Sequence, residues 1–163
     1  MFNIGDKVVY PMHGAGIIEG IEEKEYLGRS QRYYILRLPI KEMKVMLPTD
    51  NVKQLGLRDI VENTIIPEVL TVLAAKQSEM SSNWNRRYRE NMEKVKTGDI
   101  HDVAAVVRDL QLMDRTRGLS TGERKMLSNS KQILVSELAL VQDLGRQEVE
   151  LLIDSAILGH SHQ

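Results

Sequence analysis

The spacing of apolar residues changes once along this chain, near residue 58, and that change limits the folds open to it. Before it, β-branched and aromatic residues come in short runs, "KVVY" (7–10), "AGIIEGIEE" (15–23), "RYYILRL" (32–38) and "KVMLP" (44–48), broken by "PMHG", "LGRSQ" and "PIKEM". Short strands at close spacing, with glycine and proline between them, predict a small antiparallel β-barrel of the SH3 or Tudor type. Beyond residue 58 the period is helical. Pro67 suits the first turn of a helix through "PEVLTVLAAK", because that turn has no intrahelical use for the amide hydrogen proline lacks. Ser81, Ser82 and Asn83 precede a second helix that Gly98 ends, and Asp99 caps a third that stops at Gly118. Ser120 and Glu123 have capping-box spacing ahead of a helix from about 121 to 142, whose Leu127, Ile133, Leu134, Leu138 and Val141 recur at helical intervals. A last helix runs through "QEVELLIDSAI". The expected fold class is α+β in two modules: a β-barrel over 1–57, an all-α bundle of about five helices over 58–158, and a flexible tail over 159–163.

Several classes of function fall away on inventory. The chain has no cysteine, which removes disulfides, thiolate zinc sites and cysteine nucleophiles. Its formal charge of -1 rules out coating nucleic acid by bulk charge, so any such site must be a local patch. "MFNIGDKVVYPMHGAG" lacks the basic-then-apolar order of a secretion signal, and no apolar run reaches the roughly 18 residues of a membrane span. A soluble, monomeric, cytoplasmic protein with no membrane contact is expected.

Catalytic and cofactor chemistry find no foothold either. "PMHGAG" has glycines that could admit an anion, but it lacks the lysine and hydroxyl of a nucleotide loop and joins two strands instead of opening a helix. His13 reads as a turn residue. His101, His160 and His162 do not assemble a ligand set, so neither metal nor other cofactor is expected. No serine sits in a nucleophile elbow, and Glu22 and Glu23 read as an exposed strand end. The chain is not expected to be an enzyme.

What remains is "SSNWNRRYREN" (81–91), which holds the only tryptophan. Residues 81–98 carry five basic side chains, Arg86, Arg87, Arg89, Lys94 and Lys96, against two acidic ones. On a helix starting near 84, Trp84, Tyr88, Met92 and Val95 fall on one stripe, which favours a core face with Arg86–Glu90 and Arg89–Glu93 as ion pairs on the wet side. Against that, Trp84 sits in the first turn, where a side chain can project past the helix end. Its arginine neighbours suit phosphate contact beside an apolar wedge, or a protein-binding hot spot. Spacing alone leaves these readings open.

"GDKVVYPMHGAG", "NWNRRYRENMEKVKTGD", "VAAVVRDL" and "RGLSTGERKMLSNSKQILVSELAL" together resemble, in order and over nearly the whole chain, the CarD family (CarD and CdnL-type) of bacterial transcription regulators. The resemblance implies an N-terminal Tudor-like domain that binds the RNA polymerase β subunit, similar to the polymerase-interaction domain of transcription-repair coupling factors. It implies a helical C-terminal domain that contacts promoter DNA, without sequence specificity, at the upstream edge of the transcription bubble. A tryptophan at the position of Trp84 would be the wedge at the minor groove. Carried over by position, DNA contact falls on Trp84, Arg86, Arg87 and Arg89, with Arg115, Arg117, Arg124 and Lys125 as candidate phosphate contacts around the "RGLSTGERK" turn. Polymerase binding falls on Lys24, after the second strand, and on the strand Lys44, Val45, Met46, Leu47 and Pro48. Some members carry a basic residue where this chain has Met46, a departure that bears on any charged contact there. The implied role is to stabilise the open promoter complex. The alternative is a protein adaptor on polymerase that makes no direct DNA contact.

Overall fold

Where valine, isoleucine and tyrosine cluster between turn residues, strands form. The computed structural model describes residues 1–159. Strands β1 (Lys7–Tyr10), β2 (Gly14–Tyr26), β3 (Arg29–Leu38), β4 (Met43–Pro48) and β5 (Arg58–Asp59) make one antiparallel sheet in the order β4-β3-β2-β1-β5. Four of them lie where the sequence puts them. The fifth is a two-residue strand just past the expected barrel boundary, paired through Val8 with Asp59 and Val9 with Arg58. "LGRSQ" is mostly strand and not a break: Tyr26 pairs with Arg29 across a two-residue turn in which Leu27 (φ 52°) and Gly28 (φ 77°) both adopt positive φ. That is the geometry whose twist matches the flanking strands.

Alternation in β3 turns Tyr34, Leu36 and Leu38 inward, where they meet Val8, Ile18 and Leu47 in the first core. β1 breaks the alternation because both of its faces are covered. Val8 points into that core, while Val9 and Ala15 are buried outside it, on the side where a helix lies against β2. Two glycines make the layering tight. A Cβ on Gly16 would collide with the Arg37 carbonyl oxygen of β3, and one on Gly14 would sit 2.8 Å from Ser136 Oγ of the covering helix.

The helices are α1 (Val52–Leu55), α2 (Ile66–Ala74), α3 (Trp84–Lys96), α4 (Ile100–Thr116), α5 (Thr121–Gln142) and α6 (Arg146–Gly159). α1 is a single turn that follows a 3-10 turn at Thr49–Asn51 and closes the end of the sheet; α2 to α6 are the five of the bundle. Their starts follow from local chemistry. Asn83 accepts from the Arg86 amide, Asp99 from the His101 and Asp102 amides, and Ser120 with Glu123 forms the complete capping box. α4 supplies much of the second core through Val103, Ala104, Val106, Val107 and Leu110, all but fully buried. Met12 and Ile40, from loops of the sheet, pack against this helical core.

Sheet and bundle are joined by polar bonds as well. Ser136 Oγ receives the Ala15 amide at 2.8 Å. Arg58, in β5, is the stronger link: its guanidinium donates to Glu137 Oε1 at 2.7 Å and Oε2 at 2.9 Å, and to the Gly98 carbonyl at 2.7 and 3.0 Å. Glu137 also accepts the Val61 amide at 2.8 Å and is buried within α5. One arginine thus ties the sheet edge to the α3–α4 turn and to the later part of α5.

Removing the charge at Glu137 leaves Arg58 facing a neutral partner in a partly buried joint. Glu137→Gln is expected to destabilise the chain by about 2–3 kcal/mol in urea unfolding, less than the ~3–5 of a wholly buried pair because the Arg58 side chain keeps 29% exposure. A loss well below 1 kcal/mol would show that the clamp is not what holds the joint.

Candidate nucleic-acid and partner interface

Trp84 is the first residue of α3 and stands 41% exposed. Three neighbours hold its ring. Its Nε1–H donates to Ser120 Oγ at 2.8 Å, Tyr88 one turn on stacks beneath it with ring centres 5.1 Å apart and planes 21° from parallel, and Gly122 lies beside its Cζ2 and Cη2 edge. The indole is therefore neither a core residue nor a loose one. One face and one edge are in contact with these neighbours, while the residue as a whole stays exposed.

The same place holds a buried ion pair. Arg87, 6% exposed, donates from Nε to Glu123 Oε2 at 2.8 Å and from Nη2 to Oε1 at 3.2 Å, and its Nη1 reaches the Ser81 carbonyl. Glu123 belongs to the capping box of α5. The Arg87 hydrogen bonds hold the Glu123 carboxyl below its ordinary value, against the opposing effect of burial, and Ser120 adds to them. The partner shift agrees: hydrogen bonding to Glu123 raises Arg87. Arg87 therefore leaves the set of candidate DNA contacts, since its guanidinium is consumed inside the protein.

Its burial also rotates α3 relative to expectation. The innermost line is Arg87, Asn91 and Val95, while Tyr88 and Met92 are half-buried beside it. Arg86 and Arg89 are exposed, Arg86 paired with Glu90 at 2.8 Å on the wet face. Among the described residues no ion pair joins Arg89 to Glu93. From the neighbouring turn and α5, Arg115, Arg117, Arg124 and Lys125 are all exposed, and Arg124 Nε bonds the Leu119 carbonyl next to Ser120. The first turns of α3 and α5 thus meet at Trp84, with accessible cations on both.

On the sheet, β4 is an edge strand, so its outer backbone groups have no ladder partner. Lys44 and Met46 are exposed, and Val45 and Pro48 half-exposed. Leu47 is not available as a contact: strand alternation turns it into the sheet core, where it is buried. Lys24 lies within β2 and not after it, on the part of the β2–β3 hairpin that extends beyond β4. Its cross-strand partner Gln31 reaches Asp50 at 3.5 Å, so Lys24 and the Pro48 end of β4 share one end of the sheet. The hairpin tip carries Tyr26 and Leu27 in water.

His13 occupies the β1–β2 turn and stacks on Tyr10 at 4.3 Å. His160 and His162 lie outside the described residues, as do residues 160–163 of the expected tail; Gly159, its first residue, instead ends α6. Among the described residues no group of three or more His, Cys, Asp or Glu side chains is placed to hold a metal ion, and no helix is long and apolar enough to cross a membrane. Sequence reasoning missed Ser120 and Gly122 as neighbours of Trp84. They are 36 and 38 residues away, and the only local sign was a glycine inside a capping box.

Residues 2–61 match the family model described as CarD-like/TRCF RID domain, and residues 68–154 match that of CarD, C-terminal domain. The chain is similar to the "Putative transcription factor YdeB" of Bacillus subtilis (strain 168), at 40% identity over 150 residues that span 92% of this chain and 98% of that one. It is also similar in sequence to the 72-residue N-terminal domain of Myxococcus xanthus CarD, solved by NMR, at 30% identity over 36% of this chain and 79% of that one; the TM-score is 0.32.

The Arg87–Glu123 pair gives stability a pH dependence. Because the folded chain holds the Glu123 carboxyl below its ordinary 4.5, the folded state binds that proton more weakly than the unfolded state. The contribution is complete above that ordinary value and is lost as pH falls through the folded one. Urea unfolding of wild type and Glu123→Gln is expected to differ most near neutral pH and to converge in acid; a gap that does not change with pH would contradict it.

Proposed function

The chain belongs to the CarD family, its two segments matching that family's two domains in order, and on that premise we propose that it regulates transcription from RNA polymerase without catalysing a reaction. In this reading the sheet module, residues 1–57, docks on the polymerase β subunit by its β4 edge and the nearby hairpin, adding a strand to the partner's sheet. The helical module, 58–158, contacts promoter DNA at the upstream edge of the bubble. Trp84 is the wedge there, and Arg86, Arg89, Arg115, Arg117, Arg124 and Lys125 are the phosphate contacts. The result is a longer-lived open complex.

The observation that carries the reading is a large aromatic side chain held half out of the protein among exposed cations. The Trp84 N–H is already satisfied by Ser120, so the ring meets DNA with its exposed surface and not as a donor. With a net charge of -1, the chain has little intrinsic affinity for duplex DNA. Tethering to polymerase raises the effective concentration of the helical module beside one DNA segment. An apolar wedge meets less resistance at a junction already unstacked than in intact duplex, so it favours the melted state.

Trp84→Ala is expected to shorten the open-complex lifetime about tenfold, the loss of a typical hot-spot contact, while polymerase binding is unchanged. A variant that folds, binds polymerase and leaves the lifetime as in wild type would overturn the wedge. Footprinting on the polymerase–promoter complex should show protection at the upstream bubble edge; none there would favour the adaptor. Met46→Glu, on the exposed side of β4, is expected to weaken binding to the isolated β subunit about tenfold, the scale of one interface residue, and normal binding would remove the β4 edge from the docking site.

A further inference from the structure

Ser120 has a hydroxyl with no spare capacity. Its Oγ accepts from Trp84 Nε1 at 2.8 Å and from the Glu123 amide at 3.2 Å, and lies 3.1 Å from Glu123 Oε1, to which it donates. One donor and two acceptor sites are all that a serine hydroxyl possesses. The carboxylate it meets is fixed by Arg87, whose Nη1 returns to the Ser81 carbonyl three residues before Trp84. The bonds form a closed circuit from the flank of α3, through Arg87, Glu123 and Ser120, back to the indole at the start of α3.

We infer that Ser120 is a positioning residue for Trp84, fixing the angle at which the indole leaves the surface, with Tyr88 and Gly122 completing the seat. This rests on the proposed role of Trp84 as the DNA wedge. An indole turns about two side-chain torsions, and an exposed one samples its rotamers on the ps–ns scale. The Ser120 bond at the Nε1 edge and the Tyr88 stack on one face restrict those torsions in the free protein, so the ring does not have to be ordered when DNA arrives. Gly122 sets the limit at the ring edge. A methyl there would touch Trp84 Cζ2 at 3.4 Å and Tyr88 Cε2 at 3.5 Å, so alanine fits and a longer side chain displaces the ring.

Separating this from a merely structural role for Ser120 is feasible because glycine caps a helix almost as well as serine but offers no acceptor. Ser120→Gly should keep the fold and free the ring, while Ser120→Thr should retain both cap and acceptor. Trp84 is the only tryptophan, so all indole emission reports on it. In the full-length protein, time-resolved fluorescence anisotropy of wild type and Ser120→Thr is expected to follow overall tumbling, with a fast nanosecond component appearing in Ser120→Gly and in Gly122→Leu. Open-complex lifetime should shorten about two- to tenfold in Ser120→Gly, the range spanned by one net hydrogen bond, and recover in Ser120→Thr. An unchanged anisotropy decay in Ser120→Gly overturns the inference, as does a freed ring with a wild-type lifetime where Trp84→Ala shortens it. If Trp84→Ala itself leaves the lifetime unchanged, the wedge reading falls, and the anisotropy decay still decides whether Ser120 holds the ring.

Discussion

A carboxylate withdrawn from water must be met where it lies, and α5 carries two such groups. Glu123 near its start and Glu137 toward its end are both buried, and each takes two hydrogen bonds from a single arginine on another element. They are separated by roughly four turns, about 21 Å along the axis, which leaves them on nearly the same side of the helix. Arg87 brings α3 to the first; Arg58 brings β5, and with it the sheet, to the second. Such pairs add little net stability over apolar replacements, because desolvation offsets much of their attraction. What they impose is arrangement. An α3 or a sheet docked elsewhere would strand a buried charge.

That constraint links the two surfaces of the proposed function. β4 and the hairpin lie on the sheet, Trp84 on the bundle, and α5 is bonded to both units at its two carboxylates. Met12 and Ile40 inserted in the helical core, and Ser136 bound to the Ala15 amide, reinforce the joint with apolar and backbone contacts. On the proposed reading, a sheet bound to polymerase carries the indole along with it, so the docking site and the wedge keep a set separation.

The parts legible from sequence are those whose causes are local. Asn83, Asp99 and the Ser120–Glu123 pair announced three helix starts because a cap bonds within three residues of itself. The four longer strands showed in their β-branched runs. β5 did not, since two residues without an apolar pattern become a strand only where β1 offers a ladder. Arg87 was misread for a related reason: helical spacing assigns the inward face by hydrophobicity, and a guanidinium turns inward only if its countercharge is there. That countercharge lies 36 residues away and leaves no trace beside Arg87. Leu47 is a different case, because strand alternation alone was enough to turn it inward. For Trp84, the spacing argument and the position argument each held half the truth, since the ring stacks on Tyr88 yet the residue stays exposed.

The free edge of β4 has a further consequence if polymerase docks there. A ladder of backbone hydrogen bonds does not read side chains; it asks an edge strand only for its carbonyl and N–H groups. Along β4 every residue but Pro48 has both. The side chain at 46 then adjusts how tightly a partner is held, not whether the strands can pair. A lineage could exchange methionine for a basic residue at that position and alter the strength of its grip on polymerase while the mode of attachment stayed the same.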